Sequence, residues 1–154
     1  MEINQLLINL YDKKTIIAIE QLAITKFNMS EQQLAEKDVA ASIEQLTINF
    51  PNAKQIAIFC GTGNNANDGK LMAKQLQSMG KQVQIITADV WHEKSTVTAD
   101  VIIDAIFGLG INRKISGVWI KIIKQINSSW SCPLKTIPLL FLIMPHKFSR
   151  RQHF

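Results

Sequence analysis

The sequence predicts an α/β chain in which a mainly parallel sheet is sandwiched between helices in three layers, and three observations carry the prediction. Apolar, partly β-branched runs of strand length recur at residues 56–60, 82–87 and 101–106. Helical spacing of apolar residues marks the stretches before, between and after them. The resulting order of strand, helix, strand, connector and strand is the order that parallel pairing with crossover connections requires.

From Asp12 to Lys26, Ile16, Ile17, Ile19, Leu22 and Ala23 support a first helix. Ser30 and Gln33 form a capping box, and Leu34, Ala40, Ile43 and Leu46 carry a second helix to about Asn49, closed by Pro51. Residues 56–60 are the first strand, stopped by Gly61, and after a small polar loop Leu71, Met72, Leu76 and Met79 mark the central helix, with both methionines read as core. Gly80 sits where a C-terminal cap belongs, and the second strand follows at 82–87. Residues 88–98 connect to the third strand, 101–106. Trp119, Ile120, Ile123 and Ile126 then place a helix over 118–127, packed on the sheet.

A chain of 154 residues with 47% hydrophobic and 19% charged residues suits one globular domain. Cys60 and Cys132 give neither a disulfide framework nor metal-ligand spacing, which fits a reducing, cytoplasmic compartment. No secretory signal opens the chain, and no run approaches the ~20 apolar residues of a membrane helix. The net charge of +5 does not read as a nucleic-acid interface. Twelve acidic residues face nine lysines up to Asp104, and the eight basic residues after it form no stripe interleaved with aromatics. His92, His146 and His153 have no partners at ligand or triad spacing and are assigned no chemistry.

Chemistry concentrates in the segment from Gly61 to Lys70, Gly-Thr-Gly-Asn-Asn-Ala-Asn-Asp-Gly-Lys. A glycine-rich turn between strand and helix presents backbone N–H groups at a positive helix end, a place for phosphate or carboxylate. The Gly61-Thr-Gly63 fingerprint alone is weak, because such a turn can exist only to make the turn. Asn64, Asn65, Asn67 and Asp68 add more polar groups than a turn needs. Asp104 interrupts an apolar run and belongs at a strand end, either capping the following loop or, with an amide oxygen, ligating a hard cation.

Gly61-Thr-Gly63-Asn64-Asn65-Ala66-Asn67-Asp68-Gly69 resembles the Gly-x-Gly-Asn-Asn-Gly-Gly-Asp-Gly loop of the NAD(P)HX epimerases, the YjeF N-terminal domain family, with Ala66 and Asn67 in place of two glycines. Ala99-Asp100-Val-Ile-Ile-Asp104-Ala-Ile-Phe107-Gly108-Leu-Gly110 resembles the family's second run, Ala-Asp-x-Ile-x-Asp-Ala-x-Phe-Gly-x-Gly. The resemblance implies a Rossmann-like αβα fold and an isomerase that interconverts the R and S forms of hydrated NADH and NADPH. It implies substrate binding by Asn64, Asn65, Ala66, Asn67 and Asp68 together with Gly108, Leu109, Gly110, Ile111, Asn112, Arg113 and Lys114, and a potassium ion held by Asn65 and Asp104. Functional coupling to an ADP- or ATP-dependent NAD(P)HX dehydratase and a homodimer are further expectations; no nucleic acid and no membrane are expected as partners.

The resemblance covers roughly residues 12–129. The family's Ile-Asp-x-Pro-Ser-Gly, which carries a substrate-binding Asp and a potassium-binding Ser, has no counterpart in Cys132-Pro-Leu-Lys-Thr-Ile-Pro138-Leu-Leu. The expectation is a family member truncated or frameshifted after about Ser129: a domain over 1–129 whose fold is incomplete at the C-terminus, then a divergent basic and apolar tail over 130–154. The catalytic acid or base is left unassigned. Two other functions compete with epimerisation: a non-catalytic nucleotide-binding or interaction module of the same fold, and a nicotinamide dehydrogenase fragment with Asp89 as its ribose acid.

Overall fold

A computed structural model of the chain describes residues 12–93, 96–128 and 135–138. Readings that concern Cys132, His146, His153 and the basic end of the chain lie outside the described residues.

Helix α1 spans Lys13–Phe27, with the Asp12 carboxylate accepting from the Thr15 N–H at its start. Helix α2 spans Glu31–Asn49 and begins with both halves of the expected capping box between Ser30 and Gln33. Strand β1 (Gln55–Cys60) leads into helix α3 (Asn64–Ser78). Gly80, at φ 79°, ends that helix in a Schellman motif: its N–H reaches Gln77 O and the Lys81 N–H reaches Leu76 O. Strand β2 (Gln82–Ile86), strand β3 (Val101–Ala105), helix α4 (Val118–Ser128) and strand β4 (Lys135–Pro138) complete the described elements.

The strands form one parallel sheet in the order β2-β1-β3-β4. Strand alternation sends Ile56, Ile58, Val101 and Ile103 to one face, where Val39, Ile43 and Leu46 of α2 and Met72 and Leu76 of α3 cover them. Ala57, Phe59, Ile102 and Ile106 belong to the other face, with Ile122 and Ile126 of α4 and Trp91 of the connector. This is the expected three-layer, Rossmann-like arrangement. Strands β1 and β3 are covered on both faces, which is why they read as continuous apolar runs. Each fully buried side chain such as Ile58 or Phe59 contributes about 1.5–3 kcal/mol.

Several local expectations change. Helix α3 begins at Asn64, seven residues before Leu71, so most of the polar "loop" is the helix's first turns. Met79 is exposed at the C-cap, and only Met72 of the pair is core. On α4 the stripe facing the sheet is Trp119, Ile122, Ile123 and Ile126; Ile120 lies beyond its edge and is exposed. On α2, Val39 is fully buried and Ala40 exposed. In α1 only Ile16 is buried, while Ile17, Ile19 and Leu22 stay exposed, because this helix lies on α2 without reaching the sheet. Proline cannot donate to a ladder, and Pro138 accordingly is the last residue of β4, opposite Asp104 at the end of the described sheet.

Candidate functional site

The chain leaves β1 for α3 on one face of the sheet and leaves β3, its neighbour, for α4 on the other. Such a reversal opens a crevice at the carboxyl ends of the two strands, where ligands bind in open α/β sheets. Backbone contacts draw those ends together. The Gly61 N–H donates to Ala105 O at 3.2 Å, and a Cβ on Gly61 would lie 2.0 Å from Ile106 O. Gly63 caps α3 at φ 101°, a conformation that only glycine adopts without strain. Gly69 lies so close to β1 and β3 that a Cβ would sit 2.7 Å from the Ala105 Cβ.

A cavity of about 580 Å³ fills the crevice. Of the residues expected to bind substrate, Asn64, Asn65, Asp68 and all six residues from Gly108 to Arg113 line it. Ala66 does not: its side chain is buried in the core under α3. It has right-handed helical geometry, as does Asn67, so replacing the two family glycines strains nothing here. Asn67 points to solvent outside the cavity. Lys114 lines a smaller adjoining cavity of about 260 Å³ with Phe107, Arg113 and Trp119, where the two rings meet edge to face at 5.6 Å. Asp89 is exposed in the turn after β2 and does not line the large cavity.

Asn65 ties the two strand exits together. It is one of two buried polar residues among those described, and its amide Nδ2 donates to Phe107 O at 3.1 Å. Asp104 accepts from the Ile106 N–H at 2.9 Å, the expected cap of the strand end. Its carboxyl is largely buried, and desolvation raises its pKa more than that bond lowers it. Asp104 is not among the residues that line the large cavity, but Asn65 and Asp104 bond to adjacent backbone groups, Phe107 O and the Ile106 N–H. The N-terminus of α3 has no side-chain cap and opens on the cavity at Gly63, Asn64 and Asn65, leaving N–H donors for an anion.

Sequence reasoning missed three charged residues of the wall: Lys13 and Glu20 of α1 and Asp38 of α2. Neither helix carries a motif. No sequence signal marks them; the structure places Asp38 one turn before the buried Ser42, on the side of α2 that also carries Val39 and Leu46. Burial pushes its carboxyl up to about 6, helped by the negative charges of Asp68 and Glu20; Asp68 is raised as well, by burial and by Glu20. No helix among the described residues is long and apolar enough to cross a membrane.

Comparison with known proteins agrees with the motifs and extends beyond them. The family model described as "YjeF-related protein N-terminus" matches residues 31–94 and 86–138, and so reaches through β4. The NAD(P)H-hydrate epimerase of Limosilactobacillus fermentum is 30% identical, over 73% of this chain and 65% of that protein. The NAD(P)H-hydrate epimerase of Anaerococcus prevotii is also 30% identical, over 75% and 67%. The bifunctional NAD(P)H-hydrate repair enzyme Nnr of Thermofilum pendens is 28% identical, over 73% of this chain but only 28% of that protein. The chain thus spans just under two thirds of the first of these relatives and less than a third of the bifunctional one. With the family model covering well over half of its residues, this chain belongs to the YjeF-related N-terminal domain family.

Proposed function

We propose that this chain is an NAD(P)H-hydrate epimerase, interconverting the R and S forms of hydrated NADH and NADPH. The observation that carries the reading is the cavity itself. Its walls join the two motif segments, through Asn64, Asn65 and Asp68 on one side and Gly108 to Arg113 on the other, at the switch point of the sheet. The uncapped α3 N-terminus and the cations Lys13 and Arg113 suit the phosphates of a dinucleotide, and the epimerase relatives supply the substrate class.

A potassium ion fits the residues present. Asn65 donates its amide nitrogen to Phe107, which leaves the amide oxygen as a donor atom, and Asp104 has a second carboxylate oxygen beyond the one that accepts from Ile106. A desolvated carboxylate with oxygen neighbours suits a hard cation, whose charge would fix the loop's polar groups and hold Asp104 ionised. The activity belongs to the cytoplasm, coupled to an ADP- or ATP-dependent dehydratase and carried by a homodimer. The competing module reading is favoured by one observation: β4 ends in Ile137-Pro138, and the sequence there lacks the family's Asp and Ser.

The test is epimerisation of purified R- or S-NADH hydrate by this chain against a no-protein blank, in potassium and in choline buffer. Turnover well above the blank, reduced in choline and in Asp104→Ala, is the expected outcome. Binding of hydrate by folded protein without turnover would hand the site to the module reading.

A further inference from the structure

If the chain is an epimerase, something in the cavity must move a proton, and the substrate-binding Asp of the family's Ile-Asp-x-Pro-Ser-Gly has no counterpart in this sequence. We infer that Asp38 is the proton-transfer group of the site, an inference that rests on the epimerase reading and adds to it. Asp38 reaches the cavity from α2, outside both motif segments, and its carboxyl has no hydrogen bond or ion pair among the described residues. Half-buried carboxyls without partners are rare in scaffold positions and common where chemistry is done.

The wall around it suits the reaction. An epimer at the hydrated ring carbon is lost by breaking the C–O bond, the electron pair leaving with oxygen, while the neighbouring ring nitrogen donates its lone pair and the ring becomes a cationic iminium. A hydroxide is a poor leaving group, so a proton must arrive as the bond breaks. Protonated Asp38 gives that proton and water departs; water then adds to the opposite face, and the proton it loses returns to the Asp38 carboxylate through solvent water in the open cavity. Atoms, electrons and protons balance, and no co-reactant is required. Glu20 and Asp68 place negative charge beside the transient cation, an arrangement fixed before the reaction begins. These three carboxylates do not converge into a metal site, since no group of three or more His, Cys, Asp or Glu among the described residues does so.

The same neighbours keep the proton available. The charged groups that share the cavity wall with Asp38 are Lys13 and Glu20 of α1, Asp68 of α3 and Arg113 of the loop after β3. Burial, Asp68 and Glu20 raise its carboxyl to about 6, and the two cations do not offset them.

The experiment compares the full chain with Asp38→Asn, Asp38→Glu and Glu20→Gln, with circular dichroism as the folding control and S-NADH hydrate as the probe. Asp38→Asn is expected to lower kcat by about 100-fold or more with KM within about twofold, and Asp38→Glu to recover part of the loss. Wild-type kcat/KM should fall as pH rises through about 6, Asp38→Asn should lack that limb, and Glu20→Gln should move it to lower pH. Wild-type turnover with a folded Asp38→Asn at full rate overturns this inference and leaves the epimerase reading intact. No wild-type turnover overturns both. Should Asp38→Asn fail to fold, the Glu20→Gln limb decides: a shift to lower pH supports the inference and an unmoved limb overturns it.

Discussion

Strand β1 reaches its helix in three residues, whereas β3 takes twelve to reach α4, and the two exits wall the cavity in opposite ways. At the first, Gly61, Asn65, Ala66 and Gly69 are all buried, and two of the glycines leave no space for a methyl group. At the second, residues 110–117 are exposed, and a Cβ on Gly110 would meet nothing within 4 Å. One exit is a mould whose shape depends on small residues. The other is a rim that offers side chains to whatever enters. Substitutions in the mould should therefore be read out in stability, and substitutions in the rim in binding.

The sharpest test pairs one glycine from each. Gly61→Ala places a methyl group 2.0 Å from Ile106 O, a backbone atom that cannot rotate away, and forces β1 and β3 apart. The expected destabilisation is about 3 kcal/mol or more. Gly110→Ala is expected to be neutral or to stabilise by up to about 1 kcal/mol, through the unfolded chain alone. Urea denaturation of the two variants beside the wild type checks both, and equal losses would erase the distinction between mould and rim.

Asn65 links the two exits, and its removal should have the next largest effect. Asn65→Ala leaves Phe107 O without its amide donor beside a closed packing contact with Gly108, an expected loss of about 1–3 kcal/mol. Because the bond is what holds Phe107 to α3, the variant should also lose edge-to-face contact between Phe107 and Trp119, visible as a change in near-ultraviolet circular dichroism.

How much of this was legible beforehand follows the same division. The mould was readable because its requirements are written locally: β-branched runs for strands covered on both faces, glycines at the strand exit, and amides at a helix start. Its extent was misjudged, since Asn-rich segments read as loop while packing under Gly108 and a core position at Ala66 carry α3 back to Asn64. The wall from α1 and α2 was not legible. Lys13, Glu20 and Asp38 lie 26 to 52 residues before Asn64 and Asn65, and only the packing of α1 on α2 and of α2 on α3 brings them to the cavity. Likewise Asp100, quoted as part of a motif without a role, accepts from the Lys54 and Gln55 N–H groups at 2.7 and 2.9 Å across 45 or more residues, fixing where β1 begins beside β3.

Asp38 gives a smaller effect with a sign that depends on pH. Its folded-state pKa is raised above 3.8 to about 6, so the native state holds a proton that the unfolded chain has released, and stability falls as pH rises through that window. Asparagine imitates the protonated carboxyl and is indifferent to pH. Asp38→Asn is expected to be more stable than wild type at pH 7 by about 1 kcal/mol, a figure discounted for partial exposure, and no more stable at pH 4. Thermal unfolding at the two pH values checks it, and a gain of the same size at both would mean that the charge is not what strains the wall.

Arg113 is the rim's counterpart to these positions, and its effect on the fold should be the smallest. The residue is exposed, and no hydrogen bond or ion pair holds its guanidinium among the described residues. Arg113→Ala should therefore leave stability within about 0.5 kcal/mol of wild type. If the guanidinium meets substrate phosphate, the variant should raise KM for the hydrate about fivefold, equivalent to roughly 1 kcal/mol, with kcat little changed, because a phosphate contact remote from the ring holds ground state and transition state alike. The attraction is between exposed charges, so the difference in KM should shrink as salt rises and screening shortens its reach. A KM that does not move would detach the rim from the phosphates and leave the α3 N-terminus and Lys13 to hold them.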